Sequence, residues 1–235
     1  MIREPILAIN FKAYPTAFGI KGLNIAKSAE KVYKELGGNI EVIVIPPATE
    51  LRKFKEELEI KVFAQHADPY DLGARTGYLP LEVIKDTGVD GVLINHSEHR
   101  LRLDEINFLV TKAKKLDLIT LVCADVPETG AAVAVLKPNI IAVEPPELIG
   151  TGIAVSKAKP EVVTNSVDLI RSVNKDVIIL TGAGISTSDD VDAAIRLGTS
   201  GVLVASAIMK AKDPEKVIRD MAQAAYKAWE RYRKM

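Results

Sequence analysis

The chain is short of almost everything that would make a disulfide scaffold, a membrane protein or a nucleic-acid binder. It has one cysteine, Cys123, so no internal disulfide framework can form. Cys123 sits in the apolar run "LITLVC" and reads as a small core hydrophobe rather than a reactive thiol. Lysine plus arginine and aspartate plus glutamate each number 31, for a formal net charge of zero. Such a balance leaves no electrostatic footprint for nucleic acid or an anionic membrane. The one local bias, the tail "KAWERYRKM", suits a solvated helix end with its cations at the negative pole. No stretch approaches the roughly 20 apolar residues that span a bilayer. The N-terminal "MIREPILAINF" also lacks the uninterrupted apolar segment of a signal peptide. The expectation is a cytoplasmic protein with neither membrane nor nucleic-acid partner. Glutamine occurs only at positions 65 and 223, beside abundant lysine and glutamate, a composition that leans towards a heat-adapted source.

Several motifs are missing as well. There is no linker or low-complexity segment, which argues for a single domain over residues 1–235. No Gly-x-Gly-x-x-Gly turn follows the first apolar run, which counts against a dinucleotide-binding open sheet. No Gly-x-Ser-x-Gly elbow offers a serine nucleophile. His66, His96 and His99 are spread over different loops with no accompanying Cys/His spacing, so no metal and no cofactor are expected.

What the chain does have is eight short runs rich in β-branched residues: "ILAIN" at 6, "IEVIVIP" at 40, "KVFAQ" at 61, "GVLIN" at 91, "LITLVC" at 118, "NIIAVE" at 139, "DVIILTG" at 176 and "GVLVAS" at 201. Most are nearly continuous apolar runs, the mark of parallel strands buried on both faces. Amphipathic patterns lie between most of them. Leu23, Ala26, Val32, Tyr33 and Leu36 share a face before Gly37-Gly38, and Leu103, Ile106, Leu109, Val110, Ala113 and Leu116 share another. Pro160 opens a helix carrying Val163, Val167 and Ile170, and Ser188 reads as the N-cap of a helix stopped by Gly198. Asp213-Pro214 opens the last helix, with Val217, Met221, Ala225, Ala228 and Trp229 inward. "PLEVIKDTG" and "ETGAAVAVLK" are shorter helical segments. Eight strand–helix units predict a closed (β/α)8 barrel, with a doubly wound open sheet as the alternative.

In such a barrel the chemistry collects at the C-terminal ends of the strands. Strand one ends in Asn10 and Lys12, which alternation places on one face with Phe11 on the other. That lysine is either a snorkelling surface charge or a cation fixed in the mouth. Strand four ends in Asn95-His96-Ser97-Glu98, where "SEHR" offers a helix start whose positive end would keep the imidazole neutral. Strand six ends at Glu144, between Val143 and Pro145; there burial raises a carboxyl pKa towards the range of a general base, unless a lysine pairs with it. "TGAGIS" after strand seven and "VASA" after strand eight let backbone N–H groups approach an anion, or are plain tight turns. One cation, one imidazole, one carboxylate and two amide-rich loops at one rim suit proton chemistry on a phosphorylated carbonyl compound.

Taken together and in order, "NFK", "NHSE", "VEPPELIGTG", "GAGIS" and "GVLVAS" resemble the triosephosphate isomerase family, and the short length resembles its archaeal branch. The resemblance spans nearly the whole chain. It implies a TIM barrel that interconverts D-glyceraldehyde 3-phosphate and dihydroxyacetone phosphate, an aldose–ketose isomerisation of glycolysis and gluconeogenesis. By resemblance Glu144 matches the base, His96 the electrophile and Lys12 the cation at phosphate and oxyanion. Asn10 matches a substrate-contacting amide, and Glu98 the carboxylate that pairs with the lysine. "ELIGTG" matches the lid, with Pro145-Pro146 as its hinge and Ile149 and Gly150 gripping phosphate. Further phosphate contacts are assigned to Gly184, with Ser186 as its rival, and to the backbone of Ala205 and Ser206, provided φ is negative at the last two. The lid lacks the tryptophan of many family members, and Ala205-Ser206 stand where many have two glycines. "HADPYDLGARTG" matches an interface loop with Thr76 at the contact, implying an obligate homo-oligomer, a tetramer in preference to a dimer. The rival readings are an epimerase-like or indole-glycerol-phosphate-synthase-like barrel enzyme, and a barrel that binds sugar phosphate without turning it over.

Overall fold

The eight apolar runs form eight parallel strands in the computed structural model, which describes residues 2–145 and 160–232. The strands are β1 Ile6–Asn10, β2 Glu41–Ile45, β3 Lys61–Ala64, β4 Gly91–Ile94, β5 Ile119–Ala124, β6 Ile140–Val143, β7 Ile178–Thr181 and β8 Gly201–Val204. They close in chain order, with β8 pairing back on β1 through Ile6↔Gly201 to Ile9↔Val204. The open-sheet alternative is thereby excluded, and the fold is a single-domain TIM barrel. Around it lie α1 Gly19–Glu35, α2 Leu51–Glu57, α3 Leu81–Asp86, α4 Leu103–Lys115, α5 Pro127–Val135, α6 Pro160–Val173, α7 Ser188–Arg196, a one-turn α8 Ser206–Met209 and α9 Pro214–Tyr232.

Strand alternation builds two cores. Ile6 and Ala8 of β1, Ile43 and Ile45 of β2, Phe63, Leu93, Leu121, Cys123, Ile140, Ala142, Leu180 and Leu203 point inward and fill the barrel. The intervening residues, such as Leu7, Ile9, Val42, Val44, Val92 and Ile94, face the helices. Cys123 is buried in the inner core. The same parity carries the chain upward from Ala8 to Asn10 and from Ala142 to Glu144, so both polar side chains emerge at the barrel mouth.

The helices depart from the sequence expectations in particulars. Leu103 is exposed at the start of α4, because the first turn of that helix overhangs solvent while Ile106, Leu109, Val110 and Ala113 turn inward. Thr187, not Ser188, caps α7: its hydroxyl accepts from the Asp190 N–H, and the Asp190 carboxylate reaches back to the Ser186 and Thr187 N–H groups. Either hydroxyl could satisfy the helix end; the reciprocal bond with Asp190 three residues on selects Thr187. The last helix buries Ile218 and Ala222 beside Met221, Ala225 and Ala228, with Val217 and Trp229 partly covered at its edge. The turn α8 was not anticipated. Among the described residues, no helix is long and apolar enough to cross a membrane.

Candidate active site

A cavity of about 120 Å³ opens at the C-terminal ends of the strands. Asn10, Lys12, His96, Glu144, Gly184, Ala205 and Ser206 all line it.

Asn10, at the end of β1, is buried, and its Oδ1 accepts the Lys12 N–H at 2.9 Å. This short bond supports a left-handed turn, φ +49° at Lys12, which is costly for a residue with a long side chain. Gln65, just beyond β3, braces the turn: its Nε2 donates to the Lys12 and Ile45 carbonyls at 3.0 Å each. Lys12 Nζ then reaches Glu98 Oε1 at 2.8 Å. Gln65 is one of only two glutamines, at the tip of a strand, and that rarity was the signal available in the sequence.

His96 reaches the cavity by a different route. Two residues beyond β4, it has the parity of Val92 and Ile94, which face the helices, and continued alternation would send it outward. Asn95 breaks the alternation with φ +61°. Its buried amide donates to the Cys123 carbonyl and accepts from the Leu101 N–H, both at 2.9 Å, which holds the left-handed turn. The ring Nδ1 accepts the Glu98 backbone N–H at 3.1 Å, leaving Nε2 as the protonated nitrogen, and Nε2 points at Glu144. Burial, aided by the Lys12 charge, lowers the imidazole pKa from 6.5 to about 4. The helix start expected after His96 is absent: residues 97–99 form a turn and α4 begins only at Leu103. The imidazole is kept neutral by a single turn N–H, by desolvation and by a nearby cation.

Glu144 is buried at the end of β6, its backbone N–H donating to the Ala124 carbonyl at 2.7 Å. Oε1 lies 3.4 Å from His96 Nε2, and Oε2 has no hydrogen-bond partner among the described residues. Burial pushes its pKa from 4.5 to about 7, with the Cys123 thiol, the Ser97 N–H and the Lys12 charge offsetting that only in part. The carboxylate has room because its neighbour at the end of β7 is Gly182: a Cβ there would fall 2.6 Å from Glu144 Cγ. In the sequence that glycine belongs to "TGAGIS", which reads either as amide donors towards an anion or as a plain tight turn, and neither reading anticipates this contact.

Across the cavity, Gly184 adopts φ +68°, and its loop lines the wall. The rival Ser186 has its backbone N–H already engaged by Asp190. Ala205 has φ −134° and Ser206 opens α8, so neither residue is in the left-handed region that favours glycine. Lys210 and Tyr14 also line the cavity and were not foreseen. Thr76 lies apart from these groups, exposed at the tip of the loop after β3. Pro146, expected at a hinge, and Ile149 and Gly150, expected in a lid, lie outside the described residues.

A buried carboxylate with a pKa near neutrality facing an uncharged imidazole can take up a proton while hydrogen-bonding the oxygen that becomes charged. Such a pair at the mouth of a closed barrel is suited to acid–base chemistry on a small molecule. The family model described as Triosephosphate isomerase matches residues 5–224. Triosephosphate isomerase of Caldivirga maquilingensis is 54% identical over 222 residues, covering 94% of this chain and 98% of that protein. Those of Saccharolobus solfataricus and Methanocaldococcus jannaschii are 48% and 50% identical, over 97% and 92% of this chain and 99% and 98% of their own lengths. The chain belongs to the triosephosphate isomerase family, and by class it is an isomerase.

Proposed function

We propose that the chain interconverts D-glyceraldehyde 3-phosphate and dihydroxyacetone phosphate with Glu144 as the base. The ionised carboxylate takes a proton from the carbon beside the carbonyl. The C–H electron pair forms the enediolate double bond, and the carbonyl pair moves onto oxygen. His96 Nε2–H donates to the charged oxygen, and the hydroxyl proton on the neighbouring oxygen passes to that oxyanion within reach of the same imidazole, so the negative charge moves from one enediolate oxygen to the other. Glu144 returns the proton to the adjacent carbon, which completes the exchange with no net change in atoms or charge. Lys12, oriented by Asn10 and Glu98, supplies positive charge to the oxyanion and the phosphate. The phosphate rests on backbone N–H groups of Gly184, Ala205 and Ser206. The roles of Ile149 and Gly150 rest on the sequence resemblance alone: a lid closing there would exclude water and keep Glu144 basic.

The observation that carries the reading is the 3.4 Å approach of His96 Nε2 to Glu144 Oε1 inside a cavity sized for one small molecule. Its test is a coupled assay on wild type and Glu144→Gln. Wild type should turn over glyceraldehyde 3-phosphate. The variant should lose about 10³-fold or more in turnover while still binding inorganic phosphate. Turnover near the wild-type rate in that variant would overturn the assignment of the base; a wild type that binds phosphate without isomerising the triose would favour the binding-only barrel.

The same reading extends to the setting of the protein. The enzyme would act in the cytoplasm, in glycolysis and gluconeogenesis, as a homo-oligomer. The loop after β3 is braced by Asp68, whose N–H and carboxylate bond the Leu79 carbonyl and N–H, yet it leaves Leu72, Thr76 and Tyr78 exposed. A rigid projecting loop with exposed apolar residues is what docking into a second subunit requires. A tetramer is the favoured assembly.

A further inference from the structure

The cavity holds two lysines, and they differ in charge balance. Lys12 is paired with Glu98 at 2.8 Å, so from a distance the two cancel. Glu144, when ionised, adds a negative charge that opposes an incoming anion. Lys210 makes no ion pair with any carboxylate among the described residues, yet it lines the same cavity.

Its position is built by two segments, α8 and the loop after β1. Lys210 follows the last residue of α8, and its N–H donates to the Ser206 carbonyl at 3.0 Å. It is thus one turn on from Ser206. Thr16, in the loop after β1, ties its hydroxyl to the Met209 carbonyl at 2.7 Å, fixing the end of that turn. Tyr14 of the same loop sits beneath the ammonium group, with Lys210 Nζ 5.3 Å from the ring centroid. A long lysine side chain normally loses entropy when it is held; stacked on the tyrosine it is already partly ordered.

We propose that Lys210 is the uncompensated cation that captures the substrate's dianionic phosphate and seats it on the Ala205 and Ser206 amides, so that it sets affinity for phosphorylated substrate rather than the rate of proton transfer. The inference rests on the isomerase reading for its substrate. Physically, a dianion entering beside Glu144 meets a site whose Lys12–Glu98 pair is electrically neutral, and Lys210 offsets the charge of the ionised Glu144 at the mouth. Ion screening over about 8 Å at physiological salt makes that contribution salt-dependent.

The experiment compares Lys210→Ala, Lys210→Arg and Lys212→Ala. Lys212 is exposed two residues further along and does not line the cavity, so its loss changes the net charge equally. Lys210→Ala is expected to raise KM for glyceraldehyde 3-phosphate about three- to tenfold with little change in kcat, and to flatten the fall of kcat/KM with added salt. The dissociation constant for inorganic phosphate, measured by calorimetry, should rise by a similar factor. Lys210→Arg should recover most of the loss, and Lys212→Ala should behave as wild type. Unchanged KM and phosphate affinity in Lys210→Ala, or an equal effect in Lys212→Ala, would overturn the proposal. Because phosphate affinity is read without turnover, a wild type that failed to isomerise the triose would sink the functional reading and leave Lys210 still testable.

Discussion

At the scale of single residues, the site works because burial moves two pKa values in opposite directions. Glu144 is raised to about 7 and His96 lowered to about 4. For the free enzyme, kcat/KM should therefore fall about tenfold per pH unit below roughly pH 7, as the base becomes protonated, with no second loss from His96 until about pH 4. A flat profile between about pH 8 and 5 would contradict this. Stability carries the opposite signature for the carboxyl. A carboxyl whose folded pKa lies above its unfolded value contributes stability that is complete below about 4.5 and is lost as pH rises through about 7. His96, lowered on folding, contributes stability present above 6.5 and lost as pH falls through about 4. Glu144→Gln should thus melt at a higher temperature than wild type near pH 8, by a margin that shrinks towards pH 5. Thermal melts across that range would show it, and a margin independent of pH would refute the buried-charge account.

At the scale of elements, the site depends on how neighbouring strand ends abut. The Gly182 N–H donates to the Val143 carbonyl at 2.7 Å, which draws the end of β7 against the base. Gly182→Ala would place a methyl group 2.6 Å from Glu144 Cγ and 3.2 Å from Oε1. Because a misplacement of about 1 Å costs on the order of 10²-fold in rate, kcat should fall by about that factor with a smaller change in KM. A kcat within a few-fold of wild type, by steady-state assay, would mean that the carboxylate tolerates the displacement. Parity along a strand showed from the sequence that Asn10 and Lys12 share a face, and the rim placement expected for His96 holds, but it is reached through the φ of +61° at Asn95 and not through regular alternation. That turn is held by groups 28 and 6 residues away, on β5 and before α4, and no local pattern announces them.

At the scale of the whole molecule, the loop after β3 leaves Leu72 exposed near its tip and Tyr78 exposed near its base against Tyr70, a surface that a second subunit would cover on the oligomer reading. The protein should sediment as an oligomer at dilute concentration, and shortening the loop across residues 72–77 should yield a smaller species of greatly reduced activity. Light scattering together with the coupled assay checks both outcomes. A fully active monomer would end the obligate-oligomer reading.

The eight strands, most of their helices and the rim positions of Asn10, Lys12 and Glu144 were determined by the chain's own order of residues. Burial on both faces demands continuous apolar runs, and alternation is a local rule. The tertiary structure alone decided how the Asn95 turn swings His96 inward, that Thr187 rather than Ser188 caps α7, and that Gln65 buttresses Lys12. It alone brought Tyr14 and Lys210 to the cavity and made Gly182 the space for the Glu144 side chain. Each of these is set by a hydrogen bond or a close approach between segments that are distinct in sequence, and such pairings acquire an energy only once the barrel closes.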